Sequence, residues 1–345
     1  MGDDGPMLSS SIPRKGSQVA LLANPAARRG RAAADMARVL ERLRFRGIEP
    51  LVLDSASADE ALTAAHHAVA TGIPRLVVVG GDGIVHMAAN AAAGSPTVVG
   101  IVAAGTGNDA AESLGLIGGP SKQDLDARVD RALADPTPVD LLACRSGQDA
   151  GRSDPLYAVT SCIAGFPALV NARAEAMGFP RGPSRYTLAT LGAIPGMQPG
   201  RFRLTLSGGP DDGVVLDQRA AVVVVANLGL FGGGMRICPD ASPDDGLLDV
   251  CLVGDVGRLA LLRAFPKVRT GAHLDHSDVT IHRASEVHLE TDTADPTVRA
   301  DGEPFTRLPL TVTVRPGSLL VAGADCHPPG RAPARFRHPR LGSES

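Results

Sequence analysis

The chain has 345 residues, 44% of them hydrophobic, a formal net charge of −3 and no Trp. That length accommodates two domains, and the apolar share is ordinary for a globular protein. The slightly acidic balance and the scarcity of aromatic residues exclude a general nucleic-acid binder, which needs a basic face and stacking platforms.

In chain order, Met1–Ser17 is polar, lacks the apolar core of a signal peptide and is expected to be disordered. Gln18–Ala23 predicts a strand ended by Asn24-Pro25. Ala26–Gly30 is a loop with Arg28 and Arg29, and Ala32–Phe45 an amphipathic helix closed by Gly47. Ile48–Leu53 (strand), Ala58–Ala70 (helix), Leu76–Val79 (strand), Ile84–Ala93 (helix) and Thr97–Ala103 (strand) continue the alternation. Repeated strand and helix with short connections predict a doubly wound, mostly parallel α/β sheet, whose ligands sit at the carboxyl ends of the strands. Three polar or Gly-rich turns fall there: Asn24–Gly30, Gly80–Gly83 and Gly105–Asp109.

After Asp135–Pro138 the pattern changes. Strands are expected at Val139–Cys144, Tyr157–Ile163, Arg201–Leu206, Arg219–Ala226, Met235–Cys238, Leu248–Leu252, Val279–His282, Val287–Glu290, Thr297–Ala300, Leu310–Val314 and Leu319–Val321. Helical patches are expected at Ala168–Met177, Arg185–Ile194 and Arg258–Phe265. Consecutive strands joined by turns such as Asp211-Asp212-Gly213 and Asp244-Asp245-Gly246 indicate an antiparallel β-rich domain. The expected division is an α/β domain over 18–138, a β-rich domain over 139–316, and a strand in 317–324 returning to the first domain. A disordered, Pro- and Arg-rich tail would follow over 325–345. The longest apolar run, Ala220–Phe231, is interrupted by Asn227 and Gly229 and falls short of the ~20 residues that span a bilayer. The five cysteines form no CxxC pair, so a reducing cytoplasm without disulfides or zinc is expected.

Leu76–Val79 is a strand buried on both faces, broken by Gly80, Gly81 and Gly83 around the carboxylate of Asp82 and followed by a helix start at Ile84. Glycines admit close backbone approach and a helix N-terminus favours anions, so the turn suits a phosphate. Asp82 would repel a bare phosphate but suits one that arrives with Mg²⁺ or beside an Arg. A tight βα turn with Asp82 as helix N-cap accounts for the same residues. Neither GxGxxG at the first βα turn nor GxxxxGK[ST] is present, which counts against a dinucleotide fingerprint and a P-loop.

Gly80-Gly81-Asp82-Gly83 followed by Gly105-Thr106-Gly107-Asn108-Asp109 resembles the diacylglycerol kinase catalytic domain, whose relatives include bacterial lipid kinases and sphingosine and ceramide kinases. Asn24-Pro25 with Gly30, Asn227 with Gly232–Met235, Pro239–Asp249 and Asp301-Gly302-Glu303 extend the likeness, in order, over roughly Gln18 to Val321. The resemblance implies an NAD kinase/phosphofructokinase-like α/β domain followed by an antiparallel β-sandwich, and a cytoplasmic enzyme transferring phosphate from ATP, with Mg²⁺, to the free hydroxyl of diacylglycerol. It would meet its lipid at the inner membrane face, as a peripheral protein and a possible homodimer.

The resemblance further implies that Asn24, Pro25, Ser55, Gly80, Gly81, Asp82, Gly83, Ile84, Thr106, Asn108 and Asp109 bind the nucleotide. Asp82 would help place the catalytic Mg²⁺. Asn108, Asp109 and Asp140 would form a polar network at the domain junction, and Glu303 would be the general base, although an ordinary Asp-Gly-Glu turn reads the same. A structural Mg²⁺ is implied at the Ser242 carbonyl, the Asp245 carboxylate and the Leu247 carbonyl; a plain hairpin turn is the alternative. An apolar groove for acyl chains would involve Phe166, Leu169, Val170 and Leu188, which core packing also explains.

The chain departs from the family pattern at Ile84, where Thr is usual, and at His86, where Asn is usual; a lone helical His is expected to be a packed or exposed side chain. Sphingoid-base or ceramide phosphorylation and a non-catalytic binding protein are the rival readings. An NAD kinase-like activity is disfavoured by the later motifs.

Overall fold

The N-terminal strands form where apolar runs alternate with amphipathic helices, and all but the edge strand are buried on both faces. A computed structural model describes residues 18–23, 31–117, 124–147, 155–166, 170, 173–174, 176–177, 188–189, 192–293 and 296–326. Its first part runs β1 (Val19–Ala23), α1 (Arg31–Phe45), β2 (Leu51–Leu53), α2 (Ala58–Ala70), β3 (Arg75–Gly80), α3 (Asp82–Ala92) and β4 (Val98–Ala103). The four strands pair in parallel, in the order β4-β3-β1-β2.

Alternation along β1 and β3 divides the core. Ala20, Leu22, Leu76 and Val78 face α2 and α3, while Leu21, Val77 and Val79 face Val39 and Leu43 of α1. A further helix, α5 (Leu125–Ala132), covers that second face with Leu125 and Val129. Neither α5 nor the short α4 (Asp109–Ser113) before it was expected from the pattern. The N-terminus of α2 is closed by Ser57, whose hydroxyl accepts from Glu60 N at 3.2 Å, and by Glu60, whose carboxylate accepts from Ala56 N at 2.7 Å.

The second part is antiparallel: β5 (Pro136–Ser146), β6 (Leu156–Ala158), β7 (Ser161–Gly165), β8 (Gly200–Ser207), β9 (Val215–Ala226), the β10–β11 hairpin (Leu230–Phe231, Met235–Arg236) and β12 (Leu248–Gly254). After α6 (Arg258–Ala264) come β13 (Val279–Ala284), β14 (Glu286–Thr291), β15 (Thr297–Ala300), β16 (Glu303–Arg307) and β17 (Leu310–Ala322). Its interior is a sandwich core of Phe202, Leu204, Leu206, Val223, Val225, Val287, Leu289 and Val312. The fold is thus mixed α/β, a parallel doubly wound part followed by an antiparallel sandwich.

Three expected elements differ. The strand expected over Tyr157–Ile163 is two, β6 and β7, because Val159 and Thr160 turn their N–H groups to the Asp301 carboxylate. The pair expected at Leu310–Val314 and Leu319–Val321 is one strand, β17, with an irregularity between Arg315 and Leu319. β17 pairs antiparallel with β14 and β5, then parallel with β4 at Leu320 and Val321, joining both parts in one 15-stranded sheet. β16 was not expected as a strand. The patches at Ala168–Met177 and Arg185–Ile194 fall largely, and Met1–Ser17 and 327–345 wholly, outside the described residues.

Candidate active site

The turns after β3 and β4 pack backbone against backbone. A Cβ on Gly81 would lie 2.4 Å from the Gly107 carbonyl oxygen, and one on Gly105 would lie 2.4 Å from Gly81 Cα. Asp82 N donates to Gly107 O at 3.2 Å, and Ala104 N donates to Gly80 O at 2.9 Å. The sequence reading gave Gly81, though not Gly105, to ligand approach. At 81 and 105 the space is taken by the opposite turn, so the two turns form one rigid shelf. The N-cap of α3 is Gly81, and Asp82 is its first helical residue, which corrects the alternative that made Asp82 the cap.

Asp82 instead caps its neighbour. Its Oδ2 accepts from Asp109 N at 3.1 Å and its Oδ1 from Ala110 N at 3.0 Å, at the start of α4. Asp109 in turn accepts from Gly233 N and Gly234 N, each at 2.8 Å, in the β10–β11 turn of the second part. Burial, then the Asp109 charge, pushes the Asp82 carboxyl up to about 6, and burial also raises Asp109. Two crowded, desolvated carboxylates make a local excess of negative charge, which suits a cation.

Asp82, His86 and Asn90 fall at i, i+4 and i+8 on α3 and form a polar stripe on an otherwise apolar helix. Asn90 pairs with the Tyr157 backbone, donating to O and accepting from N, each at 2.9 Å. His86 Nδ1 lies 2.7 Å from Asp301 Oδ2. The sequence reading had His86 as a bystander; it is the link between α3 and the β15–β16 turn.

The Asp301 side chain is buried, and the residue holds a positive φ of 52°, a rare conformation for a residue with a side chain. The surrounding bonds fix it: Val159 N at 2.9 Å, Thr160 N at 2.7 Å and the Thr160 hydroxyl at 2.6 Å all donate to its carboxylate. Arg299 grips the Gly302 carbonyl with two bonds at 3.1 and 2.8 Å. Burial opposes the charge on Asp301, but the His86 bond and charge and the further donors outweigh it, and its carboxyl lies below the ordinary range. Burial likewise opposes the charged His86 ring. The bond to Asp301, then the charges of Asp301 and Glu303, outweigh it and raise its pKa.

At the end of this pinned turn stands Glu303, exposed to solvent, its Oε1 3.5 Å from where a Gly83 Cβ would be. A carboxylate 220 residues along the chain therefore overhangs the Gly-Asp-Gly turn. Asp82, Gly83, His86, Asp109, Asp301 and Glu303 converge on one cleft between the two parts.

Residues 18–144 match the family model of the diacylglycerol kinase catalytic domain, and residues 160–323 match that of the YegS C-terminal NAD kinase beta sandwich-like domain. The diacylglycerol kinase of Mycobacterium tuberculosis (strain H37Rv) is 34% identical over 304 residues, 88% of this chain and 94% of that protein. The chain belongs to the diacylglycerol kinase family of lipid kinases. A Shewanella frigidimarina protein named "Probable lipid kinase YegS-like" is 26% identical over 73% of this chain and 77% of its own. The crystal structure of a diacylglycerol kinase from Bacillus anthracis str. Sterne shares the fold, with a TM-score of 0.65 and 18% identity over 93% of this chain and 100% of that one.

Against this family's expected site, the remaining residues divide. Asn24, Pro25, Arg28 and Arg29 lie outside the described residues. Ser55 is buried after β2, Ile84 is buried inside α3, and Thr106 is exposed on the second turn. The Asn108 side chain bonds its own turn, accepting from Gly105 N at 3.1 Å and donating to Gly105 O at 2.9 Å. Asp140 accepts from Gly246 N at 2.8 Å and Gly317 N at 2.7 Å. The single network expected of Asn108, Asp109 and Asp140 is thus three separate anchors. Of the proposed acyl groove, Phe166 and Val170 are core residues, Leu188 is exposed, and Leu169 lies outside the described residues.

The loop expected to hold structural Mg²⁺ does not fit one. Asp245 accepts from Leu247 N at 3.0 Å and from the Arg283 guanidinium. The Ser242 hydroxyl bonds the Asp244 carboxylate at 2.9 Å. Arg283 also lies 3.5 Å from Asp249, whose carboxyl burial pushes up to about 7. The Arg283 guanidinium thus already stands against the Asp245 carboxylate that was expected to meet the divalent ion.

Proposed function

We propose that the chain is an ATP-dependent lipid kinase that phosphorylates the free hydroxyl of diacylglycerol to give phosphatidic acid. The observation that carries this reading is the Glu303 carboxylate, held by a pinned turn over the glycine shelf that starts α3. The family supplies the kinase chemistry; the lipid is read from relatives named diacylglycerol kinase and from the family itself.

In this reading the triphosphate lies along the shelf of Gly80, Gly81, Gly83 and Thr106, with Asn24, Pro25, Ser55, Ile84 and Asn108 around the nucleotide. Asp82 and Asp109 are the residues that would hold a Mg²⁺ arriving with the nucleotide. When bound, that ion would supply charge neutralisation for the phosphates of the nucleotide. Glu303 accepts the proton of the lipid hydroxyl. The hydroxyl oxygen forms its bond to the γ-phosphorus as the bond to the β,γ-bridging oxygen breaks, and ADP leaves with that electron pair. His86 and Asp301 touch no reacting atom in this scheme; they position Glu303. The enzyme would work in the cytoplasm, at the membrane surface that holds its substrate.

Incubation with radiolabelled ATP and Mg²⁺ over a panel of diacylglycerol, ceramide and sphingosine micelles tests the assignment. Label is expected in phosphatidic acid. Label only in ceramide phosphate or sphingosine phosphate would move the substrate class. Nucleotide binding without transfer to any lipid would leave a non-catalytic protein.

A further inference from the structure

The segment Arg258–Thr270 stands apart from the rest of the surface. Neither α6 nor the 3-10 helix Phe265–Thr270 after it buries a single residue completely. Inward, Ala260, Leu261 and Val268 lie against the core beneath β9 and β12. Outward, Leu259 is 68% exposed and Leu262 39% exposed, one helical turn apart on the same face. Such a pair beside cations is not explained by packing within the chain.

The charge is equally local. From Val256 to Leu274 there is no acidic residue, while Arg258, Arg263, Lys267 and Arg269 all lie within it, in a chain of net charge −3. Asp255, just before, is taken by Arg219 at 2.8 Å, and no ion pair among the described residues engages those four cations. The segment also adjoins the cleft: the 3-10 helix packs on β11, which follows Gly233 and Gly234, the donors to Asp109.

We propose that Arg258–Thr270 docks the enzyme on an anionic lipid bilayer, Leu259 and Leu262 entering the interface while the four cations meet headgroup charge. The proposal rests on the lipid-kinase reading for its biological setting. Charge complementarity selects the occupant, because exposed leucines in a segment whose only charged residues are cations match an interface that is apolar below and negative above. Lys and Arg stems lie along apolar surface while their heads stay in the polar layer.

The test is co-sedimentation of the full chain with vesicles of phosphatidylcholine, and of phosphatidylcholine mixed with phosphatidylglycerol. The wild type is expected on the mixed vesicles, and salt should release it. Each cation near an anionic surface is worth about fivefold in partitioning. Arg263→Glu with Lys267→Glu should therefore lower partitioning by at least about twentyfold. Leu259→Ser with Leu262→Ser should weaken it on the mixed vesicles, and both double variants should phosphorylate a short-chain, water-dispersed diacylglycerol as the wild type does. Variants that bind anionic vesicles like the wild type, or a wild type that binds neither vesicle, would overturn the proposal. So would a wild-type dimer that the leucine variant converts to monomer, since the face would then belong to a second copy. Vesicle binding that follows these rules in a protein without phosphotransfer would sustain the docking face and refute the catalytic reading.

Discussion

Two acidic turns of the second part share the same local chemistry and end differently. Asp301-Gly302-Glu303 and Asp244-Asp245-Gly246 both carry carboxylates around a glycine between strands. In the first, Asp301 faces inward, is fully bonded to His86 and to the Val159–Thr160 backbone, and leaves Glu303 projecting into the cleft. In the second, Asp245 is bonded to Arg283 and to its own loop, and Asp140 holds Gly246 from beneath. What a carboxylate can do is decided by what already holds it. A paired one organises backbone; one held in place but left unpaired is available for proton transfer.

The sharpest way to break this comparison is Glu303→Gln. The side chain is exposed, so the melting temperature should stay within a degree or two of the wild type, while kcat falls by about 10³-fold, the middle of the range for losing a general base. Retained nucleotide affinity with lost turnover places the residue in transfer. Turnover near the wild-type rate would reduce the Asp-Gly-Glu segment to the plain turn it also resembles.

His86→Ala tests whether the inward carboxylate organises the turn. Removing one partner of a buried pair costs about 3 kcal/mol. The sign with pH follows from the raised pKa of His86: its contribution is complete below the unfolded value and is lost as pH rises through the folded one. Denaturant unfolding should therefore show the largest deficit near pH 6 and a smaller one at pH 9. His86→Asn, which can still donate to Asp301, should recover part of both stability and kcat. A deficit independent of pH would mean that only packing against Phe305 had been lost.

Asp82 sits between these cases, bonded yet crowded by Asp109. Its carboxyl, pushed up to about 6, takes a proton as pH falls through that value. Mg·ATP affinity should then decline below pH 6 by about tenfold, beyond the titration of ATP itself. Asp82→Asn should bind weakly at every pH, and isothermal titration of both proteins reads the difference. Equal affinities would leave Asp82 as a cap for α4 alone.

The sequence made the parallel half legible because its strands are apolar on both faces and its helices keep a 3.6-residue period. It exposed the cleft less well. Asp82 was named from its own Gly-rich turn, Glu303 only through resemblance; nothing local distinguishes Asp301-Gly302-Glu303 from any hairpin turn. His86 was underrated, although the polar residues Asp82, His86 and Asn90, four apart in an apolar helix, were a readable sign of a face turned to something other than core. Gly81 was assigned to ligand approach alone, yet it and Gly105 each make room for the other's turn, a contact between segments that no one-dimensional pattern contains. Arg283, on β13 and 38 residues from Asp245, was invisible as its partner for the same reason.

Arg283→Met carries the smallest expected effect and tests the second turn. Both partners are partly exposed, so the loss should be about 1 kcal/mol. Its character matters more than its size. With Arg283 in place, the melting temperature should not respond to Mg²⁺ or to chelator, because a guanidinium already neutralises Asp245 beside Asp249. With Met there, the two carboxylates face each other without it, and millimolar Mg²⁺ should restore part of the lost stability. A wild type stabilised by Mg²⁺ as strongly as the variant would return the loop to the metal and make the Arg283 contact incidental.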